Sequence, residues 1–319
     1  MDNGPAPRTV AELGEFGVIE RITRDRRASP AESIGPGDDA AVLAAPDGRV
    51  VVTTDMLVQD RHFRLDWSDP DDIGHKAIAQ NAADIAAMGA RVTGFVVALA
   101  CPPDTTLDFV DRLNKGMSDE AARADGAIVG GDLVQAPILV ISITAMGDLG
   151  DRAPVLRSGA RPGDVVAVAG TLGRSDAGWA ALRAGRRDLT DVIDAHRAPR
   201  PPYAAGITAA DRGATAMSDV SDSLLADLGH IATASGVAID VALSALADPV
   251  LDAAARELEA DARQWVLTGG EDHALAATFP PDVALPEGWT TIGRVEAGAG
   301  VTVDGAAWSG NSGWQSFTV

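Results

Sequence analysis

The sequence predicts a two-domain fold of layered α/β (α+β) type, on three observations. Its 319 residues exceed what one hydrophobic core serves comfortably. Short apolar runs of strand length alternate with amphipathic stretches of helix length. That alternation lapses near 147–153, which divides the chain into an N-terminal domain, 1–148, and a C-terminal domain, 149–319.

In order, Leu13, Phe16, Gly17, Ile19 and Ile22 recur at helical spacing and predict one helix over 10–24. Strands are expected at 40–43 and 50–54, around the turn Pro46-Asp47-Gly48. A helix over 71–88 carries Ile73, Ala77, Ile78, Ile85 and Met88 and stops at Gly89. A strand at 92–100, a helix at 107–124 and strands at 127–129 and 138–145 complete the first domain. The second is expected to hold strands at 165–169, 214–217 and 238–241, with helices at 175–183, 203–210, 223–235 and 250–258. From 291 onward the pattern reads as short strands with glycine turns.

Charge narrows the function. With 26 basic against 46 acidic residues the net charge is −20, a field that repels nucleic acid and anionic membranes. It also repels a phosphorylated substrate unless cations intervene. The single cysteine, Cys101, excludes an internal disulfide and a Cys-rich zinc site, and His62 and His273 stand too isolated for zinc spacing. No apolar run spans a bilayer and the N-terminus lacks a signal-peptide pattern, so a cytoplasmic location is expected. P-loop, protein-kinase and serine-elbow motifs are missing.

Many acidic residues sit in glycine- or Ser/Thr-flanked clusters: Gly37-Asp38-Asp39, Thr53-Thr54-Asp55, Gly130-Gly131-Asp132, Asp219-Val220-Ser221-Asp222 and Gly269-Gly270-Glu271-Asp272. Carboxylates beside small residues near strand ends suit magnesium and polyphosphate, since Mg2+ takes hard oxygen ligands. Thr53 and Asp55, two apart on a strand, share a face, as do Asn81 and Asp84, three apart on a helix. Each cluster has a plainer alternative. Asn81 and Asp84 can be solvent-facing or locally bonded, the Gly-Gly-Asp a tight turn after its strand, and Ser221 or Asp222 a helix cap. Arg157 is a phosphate partner, a brace at the domain junction or a surface ion pair.

Taken in order, the segments are similar to those of the thiamine-monophosphate kinases, in the aminoimidazole-ribonucleotide-synthetase-like ATP-binding superfamily. The resemblance rests on Leu13-Gly14-Glu15-Phe16-Gly17, Gly35-Pro36-Gly37-Asp38-Asp39-Ala40-Ala41, Thr53-Thr54-Asp55-Met56-Leu57-Val58 and His62-Phe63. It continues through Lys76-Ala77-Ile78-Ala79-Gln80-Asn81, Asp84-Ile85-Ala86-Ala87-Met88-Gly89-Ala90, Gly130-Gly131-Asp132 and Gly170-Thr171-Leu172-Gly173. Asp219 to Leu224, Gly269-Gly270-Glu271-Asp272 and Gly313-Trp314 complete it. His273, where the family usually has Tyr, and Ala124, where a Tyr is often found near the nucleotide, depart from the pattern.

The resemblance implies a PurM-like two-domain fold. Its N-terminal domain would bind ATP and magnesium and form a β-rich homodimer interface; the C-terminal domain would be α/β. It implies direct, in-line transfer of the ATP γ-phosphoryl to thiamine phosphate. Asp38, Thr53, Thr54, Asp55, Asp84, Asp132, Asp219 and Asp222 would hold several Mg2+ ions, with Asp55, Asp84, Asp132 and Asp219 at the catalytic centre. Gly131, Asp132, Arg157 and Ser221 would contact ATP; His62, Glu271 and Trp314 would contact thiamine phosphate. The rival readings are another ATP-using enzyme of the superfamily, of aminoimidazole ribonucleotide cyclase or selenophosphate synthetase type, and a non-catalytic Mg-nucleotide-binding protein.

Overall fold

The structure is a computed structural model that describes residues 8–36 and 40–309, so Asp38 and Trp314 lie outside it. The chain splits into two compact units: Met1–Asn81 with Val92–Asp148, and Ala82–Arg91 with Leu149–Val319.

The first unit opens with two short helices rather than one. Helix α1, Val10–Leu13, is closed at its start by a Thr9–Glu12 capping box. Gly14, at φ 77°, then breaks the chain before α2, Glu15–Thr23. Strands β1 (Glu32–Ile34) and β2 (Val42–Leu43) pair antiparallel. The unit's main sheet holds β3 (Val51–Val58), β4 (Arg91–Cys101), β5 (Ile128–Gln135) and β6 (Val140–Asp148) in the order β3-β6-β4-β5. Strand β6 alternates strictly, with Ile141, Ile143 and Ala145 buried. Helices α3 (Pro70–Ala87) and α4 (Leu107–Arg123) cross closely through glycine. A Cβ on Gly74 would fall 2.2 Å from the Leu113 carbonyl oxygen, and one on Gly116 would fall 2.0 Å from that of Asp71.

The second unit is built on a six-stranded sheet, β12-β9-β11-β7-β10-β8. Its strands are β7 (Val165–Ala169), β8 (Ala216–Val220), β9 (Ala238–Val241), β10 (Ala274–Phe279), β11 (Trp289–Glu296) and β12 (Gly300–Val303). Pairing is antiparallel except between β12 and β9. Every residue of β8 and β10 is buried, which makes them a dry platform for the polar residues at their ends. Helices α5 (Arg174–Arg183), α6 (Thr190–Arg197), α7 (Tyr203–Asp211), α8 (Leu224–Ser235), α9 (Pro249–Leu258) and α10 (Ala262–Thr268) complete the unit. One core cluster joins Ala167, Ala169, Met217, Leu275, Ala277 and Phe279 to Ala86 and Ala87. That packing is why the last turn of α3 clusters with this unit, and with it Asp84. Phe279 and Trp289 meet edge to face, 5.3 Å between centroids.

Two glycines on helices make opposite demands. A Cβ on Gly178 of α5 would sit 2.1 Å from the Val192 carbonyl oxygen of α6, while one on Gly229 of α8 meets nothing within 4 Å. Gly178→Ala is expected to lose about 1–3 kcal/mol by overpacking, whereas Gly229→Ala gains about 0.5–1 kcal/mol of helix propensity. Urea melts of the two variants check this; equal shifts of one sign would refute the close α5–α6 approach.

Candidate active site

In the first unit, Thr53 and Asp55 stand on β3 opposite Ala145 and Ile143 of β6. Thr54 faces the other way, its hydroxyl donating to the Ile143 carbonyl at 2.9 Å. The Asp55 backbone N–H donates at 2.9 Å to the side-chain oxygen of Asn81, which is wholly buried and whose amide donates to the Ala77 carbonyl. Asn81 is therefore a backbone brace and not a surface residue. His62 lies in the loop after β3. Its Nδ1 accepts from the Val58 N–H at 3.0 Å, and its carbonyl accepts from the buried Lys76 ammonium at 3.1 Å.

Gly130-Gly131-Asp132 does not form a turn after its strand but runs through the middle of β5, paired in parallel with Val96, Val97 and Ala98. The register slips between Phe95 and Val96, and a Cβ on Gly131 would fall 2.2 Å from the Val97 carbonyl oxygen. The glycines serve close backbone approach within the sheet. Asp132 remains exposed, its carboxylate accepting from the Leu133 N–H at 2.9 Å. These residues border a cavity of about 990 Å3 lined largely by apolar side chains, among them Ile19, Ile22, Leu43 and Met117.

In the second unit, Asp219 sits on buried β8 at 3% exposure. The chain then turns through Ser221 and Asp222 into α8. The cap of that helix is Ser223, whose hydroxyl accepts from the Ala226 N–H at 3.2 Å, so Ser221 and Asp222 are not spent on capping. Backbone bonds zip this turn to the Gly-Gly-Glu-Asp loop: Glu271 N–H donates to Ser221 O at 2.8 Å and His273 N–H to Val220 O at 2.9 Å. A Cβ on Gly270 would lie 2.5 Å from the Ser221 carbonyl oxygen. Glu271 and His273 both hold positive φ, 64° and 53°, a strained backbone for side-chain-bearing residues.

The electrostatics are those of crowded carboxylates. Burial, then Asp219, push Asp227 up to about 7 against the opposing Ser223 N–H. Burial likewise pushes Asp272 up to about 7, although the N–H groups of Ser175 and Gly173 at the start of α5 donate to it at 2.9 and 2.6 Å. His273 contacts Asp219 at 3.3 Å; burial acts to lower its pKa, but Asp219, Glu271 and Asp84 outweigh that and hold it above the ordinary value. Asp222, Asp227 and His230 present ligand atoms within 4.8 Å of one another. Arg157 donates to the Ser218 hydroxyl at 3.3 Å, beside Asp219. Near Glu271, buried His196 lies 3.8 Å from its carboxylate and 3.2 Å from the Ser175 hydroxyl.

The second unit thus gathers Asp84, Asp219, Ser221, Asp222 and Glu271, with Arg157 beside Asp219 through Ser218. The first carries Thr53, Thr54, Asp55, His62, Gly131 and Asp132. Sequence reasoning missed Asp176, His196 and Asp227, which lie outside the glycine-flanked clusters, and gave Asp272 no role of its own.

Similarity to known proteins gives the class first. The AIR synthase related protein, N-terminal domain, matches residues 37–149, and the AIR synthase related protein, C-terminal domain, matches residues 161–305, so this is a two-domain protein of the AIR synthase type. The thiamine-monophosphate kinase of Mycobacterium tuberculosis (strain H37Rv) is 57% identical over 97% of this chain and 93% of its own length. The crystal structure of thiamine-monophosphate kinase from Stenotrophomonas maltophilia superposes with a TM-score of 0.80 at 34% identity, over 93% of this chain and 98% of that one. AaThiL complexed with AMPPCP and TMP superposes at 0.79 with 32% identity, over 96% and 98%. The chain belongs to the thiamine-monophosphate kinase family.

Asp176, in the first turn of α5, is pushed up to about 6 by burial and then by Glu271. With its folded pKa above the unfolded value, it contributes stability at low pH that is lost as pH rises through about 6. Asp176→Asn should therefore be more stable than wild type above this range, with the gap closing towards about pH 4. Urea midpoints across that range test it, and a gap that ignores pH would count against the burial.

Proposed function

We propose that this protein transfers the γ-phosphoryl group of ATP to thiamine phosphate, forming thiamine diphosphate and ADP, with Mg2+ held by its carboxylates. The observation that carries the reading is the set of carboxylates about Asp219 at the end of β8, in a chain of this family. Asp84, Asp219, Asp222 and Glu271 all crowd that turn or its partner His273, and Asp227 lies beneath it. Hard oxygen donors at this density suit a divalent cation, and side-chain cations do not supply enough charge to replace one.

Asp84, Asp219 and Asp222 of the second unit, and Asp55, Asp132 and Thr53 of the first, are the groups proposed to hold Mg2+, with Asp38 added from the family pattern; the Thr54 hydroxyl, expected among them, faces the other way and donates to the Ile143 carbonyl. Bound Mg2+ supplies neutralisation of the phosphate oxygens. The remaining work belongs to the chain. Asn81 fixes the backbone at Asp55. Gly131, Asp132, Arg157 and Ser221 are assigned to the nucleotide, and the apolar cavity beside Gly131 offers room for its base. His62, Glu271 and Trp314 are assigned to thiamine phosphate, a carboxylate and an aromatic ring suiting the cationic thiazolium.

The acceptor is a phosphate monoester, largely ionised at neutral pH, so it needs no strong general base. One of its oxygens attacks the γ-phosphorus, a new P–O–P bond forms, the β–γ bridge breaks and ADP leaves with the electron pair. Alignment and charge neutralisation are what the residues provide.

The face of the first unit's sheet that carries Val52 and Met56, 64% and 52% exposed, mixes these apolar side chains with Thr54, Ser142 and Thr144, and Val96 and Val134 of the same sheet are exposed as well. We assign this face to a second copy of this chain, giving a homodimer. Among the described residues no helix is long and apolar enough to cross a membrane. A cytoplasmic location goes with the use of ATP.

Asp55→Asn is expected to lower turnover roughly 100-fold or more with an unchanged circular dichroism spectrum. Thiamine diphosphate formation measured with and without Mg2+ checks it; wild-type turnover in that variant, or activity in a chelator, would remove the metal-centred reading. Val52→Glu with Met56→Lys should shift the mass seen by light scattering from dimer to monomer. An unchanged mass would move the interface elsewhere.

A further inference from the structure

We propose that Asp227 is the positioning residue that holds the turn Ser221–Ser223 in its binding shape, and that it is not itself a metal ligand. The inference rests on the metal-assisted reading given above.

Asp227 lies in α8 with only 1% of its surface exposed. A single carboxylate oxygen, Oδ2, accepts three consecutive backbone N–H groups: Ser221 at 3.1 Å, Asp222 at 3.1 Å and Ser223 at 3.2 Å. Three successive amides turned towards one oxygen form a nest, a backbone shape that is kept by an acceptor at its centre. The same turn is held from its other side, because the carbonyls of Val220 and Ser221 accept from His273 and Glu271. Its three N–H groups and the carbonyls of Val220 and Ser221 are therefore committed, and the Ser221 and Asp222 side chains are left to meet a ligand, with Asp219 held beside them at 3.3 Å from His273.

Asp222, Asp227 and His230 are close enough to suggest an alternative in which all three bind one ion. Oδ2, already accepting three donors, has no lone pair left for a cation, and Oδ1, which takes none of those bonds, belongs to a side chain only 1% exposed and so closed to an ion arriving from solvent. The geometry gives Asp222 the ligand role and Asp227 the supporting one. Such supporting groups are worth about 10–100-fold in metal affinity.

The test uses the full chain and Mn2+ as the probe, its binding read from the electron paramagnetic resonance of the free ion. Asp227→Ala is expected to weaken Mn2+ binding about 10–100-fold. Asp227→Asn, whose amide oxygen still accepts the three N–H groups, should recover most of that loss. Asp222→Asn should not. Backbone amide exchange is read alongside: the Ser221–Ser223 amides should be protected in wild type and in Asp227→Asn. Wild-type Mn2+ affinity in Asp227→Ala would overturn the proposal. So would a loss in Asp227→Asn as large as that in Asp222→Asn, or fast exchange of the three amides in wild type; the last two stand even if the alanine variant does not fold. If Asp222→Asn binds Mn2+ normally, the metal assignment fails instead, and the exchange data still report on Asp227.

Discussion

Repulsion between carboxylates is the constraint on which the second unit's site depends. Two like charges about 4 Å apart repel by roughly 4 kcal/mol at an effective dielectric near 20. Around the end of β8 the chain places Asp84, Asp219, Asp222, Asp227, Glu271 and Asp272. The fold relieves part of this by hydrogen bonding: Asp227 receives three N–H groups, and Asp272 receives two from the start of α5. Another part is met by His273 against Asp219, and another by raised pKa values that let a buried carboxyl keep its proton. What is left, above all Asp219 and Asp222, is negative charge that receives no backbone donor among the described residues, and that remainder suits a cation site.

Such a cluster keeps its shape only on a stiff backbone. The two loops that carry it are bonded to each other, and Gly270 lets them approach where no Cβ fits. Glu271 and His273 hold left-handed φ on either side of Asp272, whose carboxylate is anchored at the N-terminus of α5. An anion at that helix end is favourable, and its anchoring offsets the backbone strain beside it. Glu271 is thus fixed in position by its neighbours, with His196 beside it, before any substrate arrives.

The sequence made long periodic elements legible: α3, α4, α8, β4 and β7 fall within a residue or two of their expected limits because their apolar spacing is unambiguous. Helix α6 escaped notice since Val192 and Ile193 are its main apolar residues amid Thr190, Asp191, Asp194 and Arg197. Strand β10, Ala-Leu-Ala-Ala-Thr-Phe, lacks alternation and has Thr278 as its one β-branched residue, and pairing with β7 on one side and β8 on the other makes it a strand. The acidic clusters were legible as chemistry, but their local form was not. Gly130 and Gly131 look like a turn in one dimension, and the need for space against Val97 appears only once β4 lies beside them. Asp227 reads as an ordinary helix carboxylate until the turn before it folds back over it.

The same device recurs in the first unit with a different side chain. Asn81 receives the N–H of Asp55 much as Asp227 receives those of the turn after β8. In each case a buried polar group on a helix reaches a backbone amide beside a proposed cation ligand and fixes the peptide, leaving the carboxylate itself uncommitted to that bond. A neutral amide suffices at Asp55, where one donor is met and the carboxylate is exposed. Three converging donors at Ser221–Ser223 need one acceptor oxygen that faces them all, and Asp227 Oδ2 is placed to be that acceptor. The same three bonds explain how so acidic a site tolerates one more buried carboxyl group: Asp227 faces the positive ends of three peptide dipoles, which oppose the rise that burial and Asp219 impose on it.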